Sequence, residues 1–224
     1  MTFDALRAVP LAILFDLDGT LADTAPDLVA AVNALQRANR LDPTPYKALR
    51  PFASAGARGL IGAAFGVKPE DAVFETLKNA FLSNYENAIA VKSHLFEGVT
   101  TMLAELESQG IQWGIVTNKA ARFTDVLIPK IGLQHAGCVI SGDTTPHAKP
   151  HPAPLLEAAA RLNVHPSQCW YVGDDLRDIQ AGHAAGMPTI AAAWGYCGTS
   201  APGDWAADVV LHKPLDLLAQ IAKK

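Results

Sequence analysis

Leu11-Ala12-Ile13-Leu14-Phe15-Asp16-Leu17-Asp18-Gly19-Thr20-Leu21 is the stretch from which the fold reads outward. The apolar run Leu11 to Phe15 suits a buried strand and is too short for a helix. It stops at two carboxylates two residues apart, followed by Gly19 and Thr20, which read as a turn. Residues i and i+2 share one face of a strand, so both acids emerge together where the strand ends. Open parallel sheets place their ligands at the carboxyl ends of strands. Two like charges on one small patch need a cation or a shared proton. The pattern therefore suits a hard ion such as Mg²⁺, which takes carboxylate and carbonyl oxygens. It also suits chemistry in which one carboxylate attacks while its neighbour carries a proton. A solvated, turn-capping acid pair is the plain alternative.

Downstream of this turn, Thr24-Ala25-Pro26-Asp27 has the spacing of a capping box with an early Pro, and Leu28, Val29, Val32 and Leu35 follow at helical intervals. Tyr46 and Leu49, then Leu60, Ile61, Ala64 and Phe65, continue helical faces, with Gly56-Ala57-Arg58-Gly59 read as an interrupting loop. Val73, Phe74, Leu77, Phe81 and Tyr85 mark a long amphipathic helix. About seventy residues thus pass without a convincing strand. From residue 98 onward strands and helices alternate. Strands are expected over 111–116, 138–140, 169–172, 189–193 and 208–211. Helices are expected over 98–109, about 123–131 with a kink or early end at Pro129, 152–163, 176–185 and 214–223. The alternation predicts a parallel sheet with helices on both faces, which the first strand joins, and the helical block of residues 22–92 is then an insertion after strand one. Ala158-Ala159-Ala160 and Ala191-Ala192-Ala193 read as tight helix–sheet packing.

Four polar groups stand at or beyond the expected strand ends. Thr117 could bind an anion where the next helix starts, or serve as an ordinary N-cap. Lys149, before Pro150-His151-Pro152, could neutralise charge during phosphoryl transfer, or lie on the surface. Asp174, with Asp178 four residues on, could complete a Mg²⁺ shell or compensate a helix dipole. Asp175 and Arg177 read as solvated or paired with each other. His147 and His151 read as loop residues, since imidazoles suit Zn²⁺ better than Mg²⁺ and no third ligand is obvious.

Taken in order, Asp16-x-Asp18-Gly19-Thr20, Thr117-Asn118-Lys119, Lys149-Pro150 and Gly173-Asp174-(x)₃-Asp178 resemble the motif set of the haloacid dehalogenase superfamily, over nearly the whole chain. The resemblance implies an α/β fold: a doubly wound, parallel, HAD-like core from residues 1–21 and 93–224, and an inserted α-helical cap at 22–92. It implies that Asp16 is a nucleophile forming an aspartyl-phosphate and Asp18 the general acid/base. Mg²⁺ would be held by Asp16, the Asp18 carbonyl, Asp174 and Asp178. Thr117 and Lys149 would bind the transferring phosphoryl group, with Asn118 and Thr20 among the substrate contacts. An acid at position 18 fits a phosphatase or phosphomutase; haloacid dehalogenases proper lack one, and P-type ion pumps carry Thr there.

Thr117-Asn118-Lys119, Lys149-Pro150-His151-Pro152 and Asp23-Thr24-Ala25-Pro26-Asp27 are similar to phosphoglycolate phosphatases. Gly56-Ala57-Arg58-Gly59, Leu95-Phe96-Glu97-Gly98, Trp113-Gly114-Ile115-Val116-Thr117-Asn118-Lys119 and Val172-Gly173-Asp174-Asp175-Leu176-Arg177-Asp178-Ile179 resemble more closely the N-acetylmuramic acid 6-phosphate phosphatases. Both implied substrates carry a phosphate and a carboxylate, so a cationic cap residue is expected: Arg58 first, then Lys47, Arg50 and Arg122. A phosphomutase and a non-catalytic interaction protein are the alternatives.

Composition bounds the partners. Half of the 224 residues are hydrophobic, 18% are charged, and the net charge is −4. With no basic cluster, nucleic acid is not an expected partner. No run of about 18 apolar residues occurs, so no membrane span is expected, and no secretory signal is read. Three cysteines without metal-binding spacing suggest reduced thiols and a cytoplasmic protein, a monomer or homodimer acting on a small phosphate ester.

Overall fold

The computed structural model describes residue 6 and residues 8–222. Its centre is a six-stranded sheet, parallel throughout. The strands are β1 (Ala12–Phe15), β4 (Gln112–Val116), β5 (Val139–Ile140), β6 (Cys169–Gly173), β7 (Thr189–Ala192) and β8 (Val209–Leu211), in spatial order β5-β4-β1-β6-β7-β8. The chain thus leaves β1 in one direction for β4 and β5, then crosses to its other side for β6, β7 and β8. The switch between directions lies at β1, where doubly wound sheets open a ligand crevice.

All four side chains of β1 are fully buried, because helices cover both faces of the sheet. Ile13 and Phe15 join one apolar cluster with α5 (Val99–Ser108), α6 (Ala121–Lys130) and α9 (Asp216–Ile221). Ala12 and Leu14 join the opposite cluster with α7 (Ala153–Arg161) and α8 (Leu176–Ala184). Ala158 and Ala159 are buried in this cluster, Ala192 in the Ile13 cluster and Ala191 with Ile179 and Trp205, so their short side chains allow the close packing read from the sequence, whereas Ala160 is exposed and Ala193 half-buried. Cys169 is likewise buried, and the three cysteines are free thiols. Lys223, at the end of the expected closing helix, lies outside the described residues.

Between β1 and α5 stand α1 (Ala25–Ala38), α2 (Tyr46–Leu49), a 3₁₀ turn over Arg50–Ala55, α3 (Gly56–Phe65) and α4 (Phe74–Asn87). Their apolar faces, Leu28, Leu35, Leu60, Ile61, Phe81 and Tyr85 among them, are continuous with the Ile13 cluster. Four details differ from the sequence reading. Gly56-Ala57-Arg58-Gly59 forms the first turn of α3 rather than a loop; a Cβ on Gly59 would stand 2.7 Å from the Phe52 carbonyl, so glycine lets the helix start against the 3₁₀ turn. Helix α6 runs one residue past Pro129, where only one backbone bond of the last turn is forfeited. A two-stranded antiparallel ribbon, β2 (Ala22–Asp23) with β3 (His94–Leu95), joins the entry and exit of the helical block. Two-residue strands leave no periodicity to read.

The fourth difference is the capping box of α1. Thr24 is the N-cap, but its side chain makes no capping bond and donates to Asp18 instead. Asp27 accepts from the backbone N–H groups of Lys92 and Ser93 and from the Ser93 hydroxyl, at 2.7–3.0 Å, tying the block's exit to its entry. The Tyr196 hydroxyl accepts from Thr24 N (2.7 Å) and Ala25 N (2.9 Å) in their place. Among the described residues no helix is long and apolar enough to cross a membrane.

Leu14→Ala removes a fully buried side chain from the central strand between α7 and α8. The expected cost is about 2–5 kcal/mol, read as a lower urea midpoint at an unchanged m value.

Candidate active site

Register brings the motif residues to one level. Phe15 pairs with Ile115 on one side and Val172 on the other, so two residues further on the three strands reach Leu17, Thr117 and Asp174. Asp16 continues the ladder, donating its N–H to the Val172 carbonyl at 2.9 Å. The carboxylates of Asp16, Asp174 and Asp178 converge, with one oxygen from each lying within 4.8 Å of the others, and all three are buried.

Lys149 reaches this cluster from the loop after β5. Its Nζ lies 2.8 Å from Asp16 Oδ1, Asp178 Oδ1, the Val116 carbonyl and the Tyr171 hydroxyl, four oxygens for three protons. The backbone behind it is clamped by Asn118, whose amide donates to the Lys149 carbonyl and accepts from the Lys149 N–H, both at 2.9 Å. Asn118, expected to touch substrate, therefore spends its side chain as a brace. Thr20, expected in the same role, donates its hydroxyl to Asp174 Oδ1 at 3.0 Å and is fully buried.

Asp174 is held on both oxygens. Oδ2 accepts from the Tyr196 N–H (2.9 Å) and from the hydroxyl of Ser54 in the helical block (3.1 Å). It lies in the turn before α8, not on the helix with Asp178. The capping box of α8 is Asp175 with Asp178, so Asp178 Oδ2 receives the Asp175 N–H while Oδ1 faces Lys149. Arg177 grips Asp175 through two bonds of 2.8 Å and donates to the Ser54 carbonyl. Gly19 shapes the first turn: its φ is +92°, and a Cβ there would overlap the Asp174 carboxylate.

Asp18 stands outside the three-carboxylate cluster. Its Oδ1 receives the Thr24 hydroxyl and, at 3.0 Å, Lys119 Nζ, which lies 4.8 Å from the Tyr85 ring centre. Thr117 is buried and accepts the Lys119 N–H at 3.2 Å. It does not begin a helix; α6 starts at Ala121, with Ala120 as N-cap. Thr24, Lys119, Ser54 and Tyr196 were not singled out as site residues in the sequence. Lys119 and Thr24 carry a sequence signal, through the Thr117 motif and the Asp23-Thr24-Ala25-Pro26-Asp27 stretch. Ser54 and Tyr196 come from other segments that folding brings in.

Burial pushes the Asp16 carboxyl up to about 7; Lys149 opposes the rise, and the neighbouring Asp178 and Asp18 add to it. Burial also pushes the Asp174 carboxyl well above the usual carboxylate range, reinforced by Asp16 and Asp178. Desolvation would lower Lys149, but Asp16 and Asp178 outweigh it and hold the ammonium charged. Three carboxylates facing one ammonium leave an excess of negative charge. The donors are all oxygen, with no thiol or imidazole, which is the set Mg²⁺ takes. Oxygens in an octahedral Mg²⁺ shell stand about 3–4 Å apart, close to the spacing here.

A cavity of about 310 Å³ opens from Asp16 and Asp18 toward the helical block. The block's wall is mostly apolar: Leu28, Ala53, Ala57, Phe81, Leu82 and Tyr85. It supplies no cation among the described lining residues, contrary to the expectation of a basic cap residue. Arg58 and Lys47 are exposed on α3 and α2 and do not line the cavity. Arg50 is turned toward the Gly195 carbonyl (3.1 Å) and the Tyr196 ring. The lining cations, Lys119, Arg122, Lys149 and Arg177, come from the sheet side.

Comparison with known proteins agrees with the fold and the family resemblance. The haloacid dehalogenase-like hydrolase family matches residues 13–192. A phosphoglycolate phosphatase of Xanthomonas campestris is 47% identical over 210 residues, 93% of this chain and 95% of the relative. An N-acetylmuramic acid 6-phosphate phosphatase of Pseudomonas putida is 41% identical over 208 residues, 92% of this chain and 93% of the relative. The crystal structure of a "predicted phosphoglycolate phosphatase" from Haemophilus somnus superposes with a TM-score of 0.84 at 26% identity, covering 95% of this chain and 98% of that one.

Gly19→Ala is expected to displace Asp174 and weaken Mg²⁺ binding at least about tenfold by calorimetric titration. Gly132→Ala is the control: φ is +83° there too, but an added Cβ meets nothing within 4 Å. It should cost about 1–2 kcal/mol of stability and leave metal affinity unchanged.

Proposed function

The chain belongs to the haloacid dehalogenase-like hydrolases, and we propose that it is a Mg²⁺-dependent phosphomonoesterase working through an aspartyl-phosphate. The observation that carries this reading is the pairing at the end of β1. Asp16 has one oxygen fixed by Lys149, and Asp18, two residues on, is held separately by Thr24 and Lys119.

Asp16 Oδ2, which has no protein donor among the described residues, is the attacking oxygen. It bonds to phosphorus as the ester oxygen leaves, and Asp18 gives that oxygen a proton. Asp18 then takes a proton from the water that attacks the same phosphorus. The Asp16 carboxylate is restored and inorganic phosphate is released. Lys149 and the Thr117 hydroxyl face the transferring group and stabilise its charge. Mg²⁺, held by Asp16, Asp174, Asp178 and the Asp18 carbonyl, supplies further charge neutralisation when bound. The helical block, residues 22–92, acts as the cap: it walls the cavity and excludes water.

The substrate is a carboxylate-bearing phosphate ester, and the cavity favours the larger candidate. N-acetylmuramic acid 6-phosphate has about 24 non-hydrogen atoms and 2-phosphoglycolate about nine, and pockets near 300 Å³ suit ligands of the former size. The apolar cap wall suits acetyl and lactyl methyl groups better than a compact polyanion. Phosphoglycolate remains the second reading, from the name of the Xanthomonas relative.

Asp16→Asn replaces the nucleophile by an isosteric amide. It is expected to reduce phosphate release by at least about 10³-fold with an unchanged circular dichroism spectrum. Full activity in this variant overturns the mechanism. With the unmodified enzyme, phosphate release should vanish in EDTA and return with Mg²⁺. Its kcat/KM should be higher for N-acetylmuramic acid 6-phosphate than for 2-phosphoglycolate; the reverse order assigns the smaller substrate.

A further inference from the structure

Of the four cations lining the cavity, three are already committed. Lys149 serves Asp16 and Asp178, Lys119 serves Asp18, and Arg177 serves Asp175. Arg122 makes no ion pair or hydrogen bond among the described residues. It is exposed in the first turn of α6, with its guanidinium carbon 4.5 Å from the centre of the Phe123 ring.

We propose that Arg122 reads the substrate's carboxylate, and that this carboxylate lies about a sugar ring's width from the phosphate. The inference rests on the phosphatase reading and specifies which group recognises the rest of the substrate. A guanidinium over an aromatic ring spends its face and keeps its in-plane N–H groups free. Those N–H groups match the two oxygens of a carboxylate. The stack also restricts the side chain before substrate arrives, which lowers the entropy lost on binding.

Position follows from a run of contacts along the cavity wall. Lys119, bonded to Asp18, lies over Tyr85; Tyr85 meets Phe123 edge-on at 5.5 Å; and Arg122 caps Phe123. Two aromatic rings thus separate the cation beside Asp18 from the cation at the mouth. A one-carbon linker between phosphate and carboxylate is short for that span, and a pyranose ring suits it. The facing cap wall offers no competing cation among the described residues.

The test uses Mg²⁺-loaded enzyme with N-acetylmuramic acid 6-phosphate and with N-acetylglucosamine 6-phosphate, the same sugar phosphate without the lactyl carboxylate. The unmodified enzyme is expected to prefer the former by at least about tenfold in kcat/KM. Arg122→Gln should collapse that preference, chiefly by raising KM for the carboxylate-bearing ester. Arg122→Lys, which keeps the charge but loses the fork, should retain part of it. A preference unchanged in Arg122→Gln overturns the inference, as does an equal loss on both esters, which marks a structural role. Hydrolysis of both esters without preference, or of 2-phosphoglycolate and an aryl phosphate but neither sugar phosphate, overturns it and leaves the phosphatase reading standing. Failure of the unmodified enzyme on all four esters overturns both.

Discussion

A single ammonium group makes the centre of this protein possible. Lys149 Nζ sits 2.8 Å from two of three converging carboxylates, in surroundings that expose almost none of them. Unpaired charges at such depth are strongly destabilising, and breaking a buried pair by removing one partner typically costs about 3–5 kcal/mol. The neighbourhood is built to keep Lys149 where it is. Asn118 clamps its backbone, the Val116 carbonyl and Tyr171 hydroxyl share its remaining proton, and the single Tyr171 hydroxyl proton faces the Val116 carbonyl and Asp178. One positive charge cannot balance three negative ones. Burial pushes Asp16 and Asp174 up and the neighbouring carboxylates add to the rise, which a divalent cation would oppose.

The helical block is bound to the same centre by hydrogen bonds as well as by apolar packing. Thr24, at the start of α1, gives its hydroxyl to Asp18; Ser54, in the 3₁₀ turn, gives its hydroxyl to Asp174. The orphan N–H groups at the start of α1 are met by Tyr196, whose own backbone N–H also holds Asp174. The block's position and the orientation of two acids are therefore set by shared atoms, and moving one disturbs the other.

What the sequence made legible was the part governed by local rules. β1 was readable from five apolar residues ending in acids, and the alternation after residue 98 placed the remaining strands to within two residues at their ends. The motif positions were legible for a related reason: all but Asp178, which lies in the first turn of α8, stand at a strand end or in the loop beyond it. Thr24 and Asp27 illustrate what was not. Their spacing satisfies the capping rule, yet both side chains are drawn to partners, Asp18 and the Lys92–Ser93 backbone, that only the closed fold supplies. Thr20, Asn118 and Arg58, expected as substrate contacts, have side chains engaged or placed elsewhere on similar grounds, although Asn118 still lines the cavity. The first two are consumed by Asp174 and Lys149, and the third points away from the cavity because Gly56 and Gly59 start a helix rather than a loop. Tertiary competition for a side chain leaves no trace in its neighbours along the chain.

The wall that the helical block presents to the cavity has a consequence for how such proteins diversify. Leu28, Phe81 and Leu82 set the width and shape of the pocket, yet none belongs to the charge network around Lys149. Exchanging one apolar side chain for another at these positions resizes the pocket and leaves the electrostatic balance beneath untouched. Pocket shape can therefore change by small, individually tolerable steps without rebuilding the buried charge network. Relatives of comparable similarity bearing the names of two different phosphatases are what such a division of labour would produce.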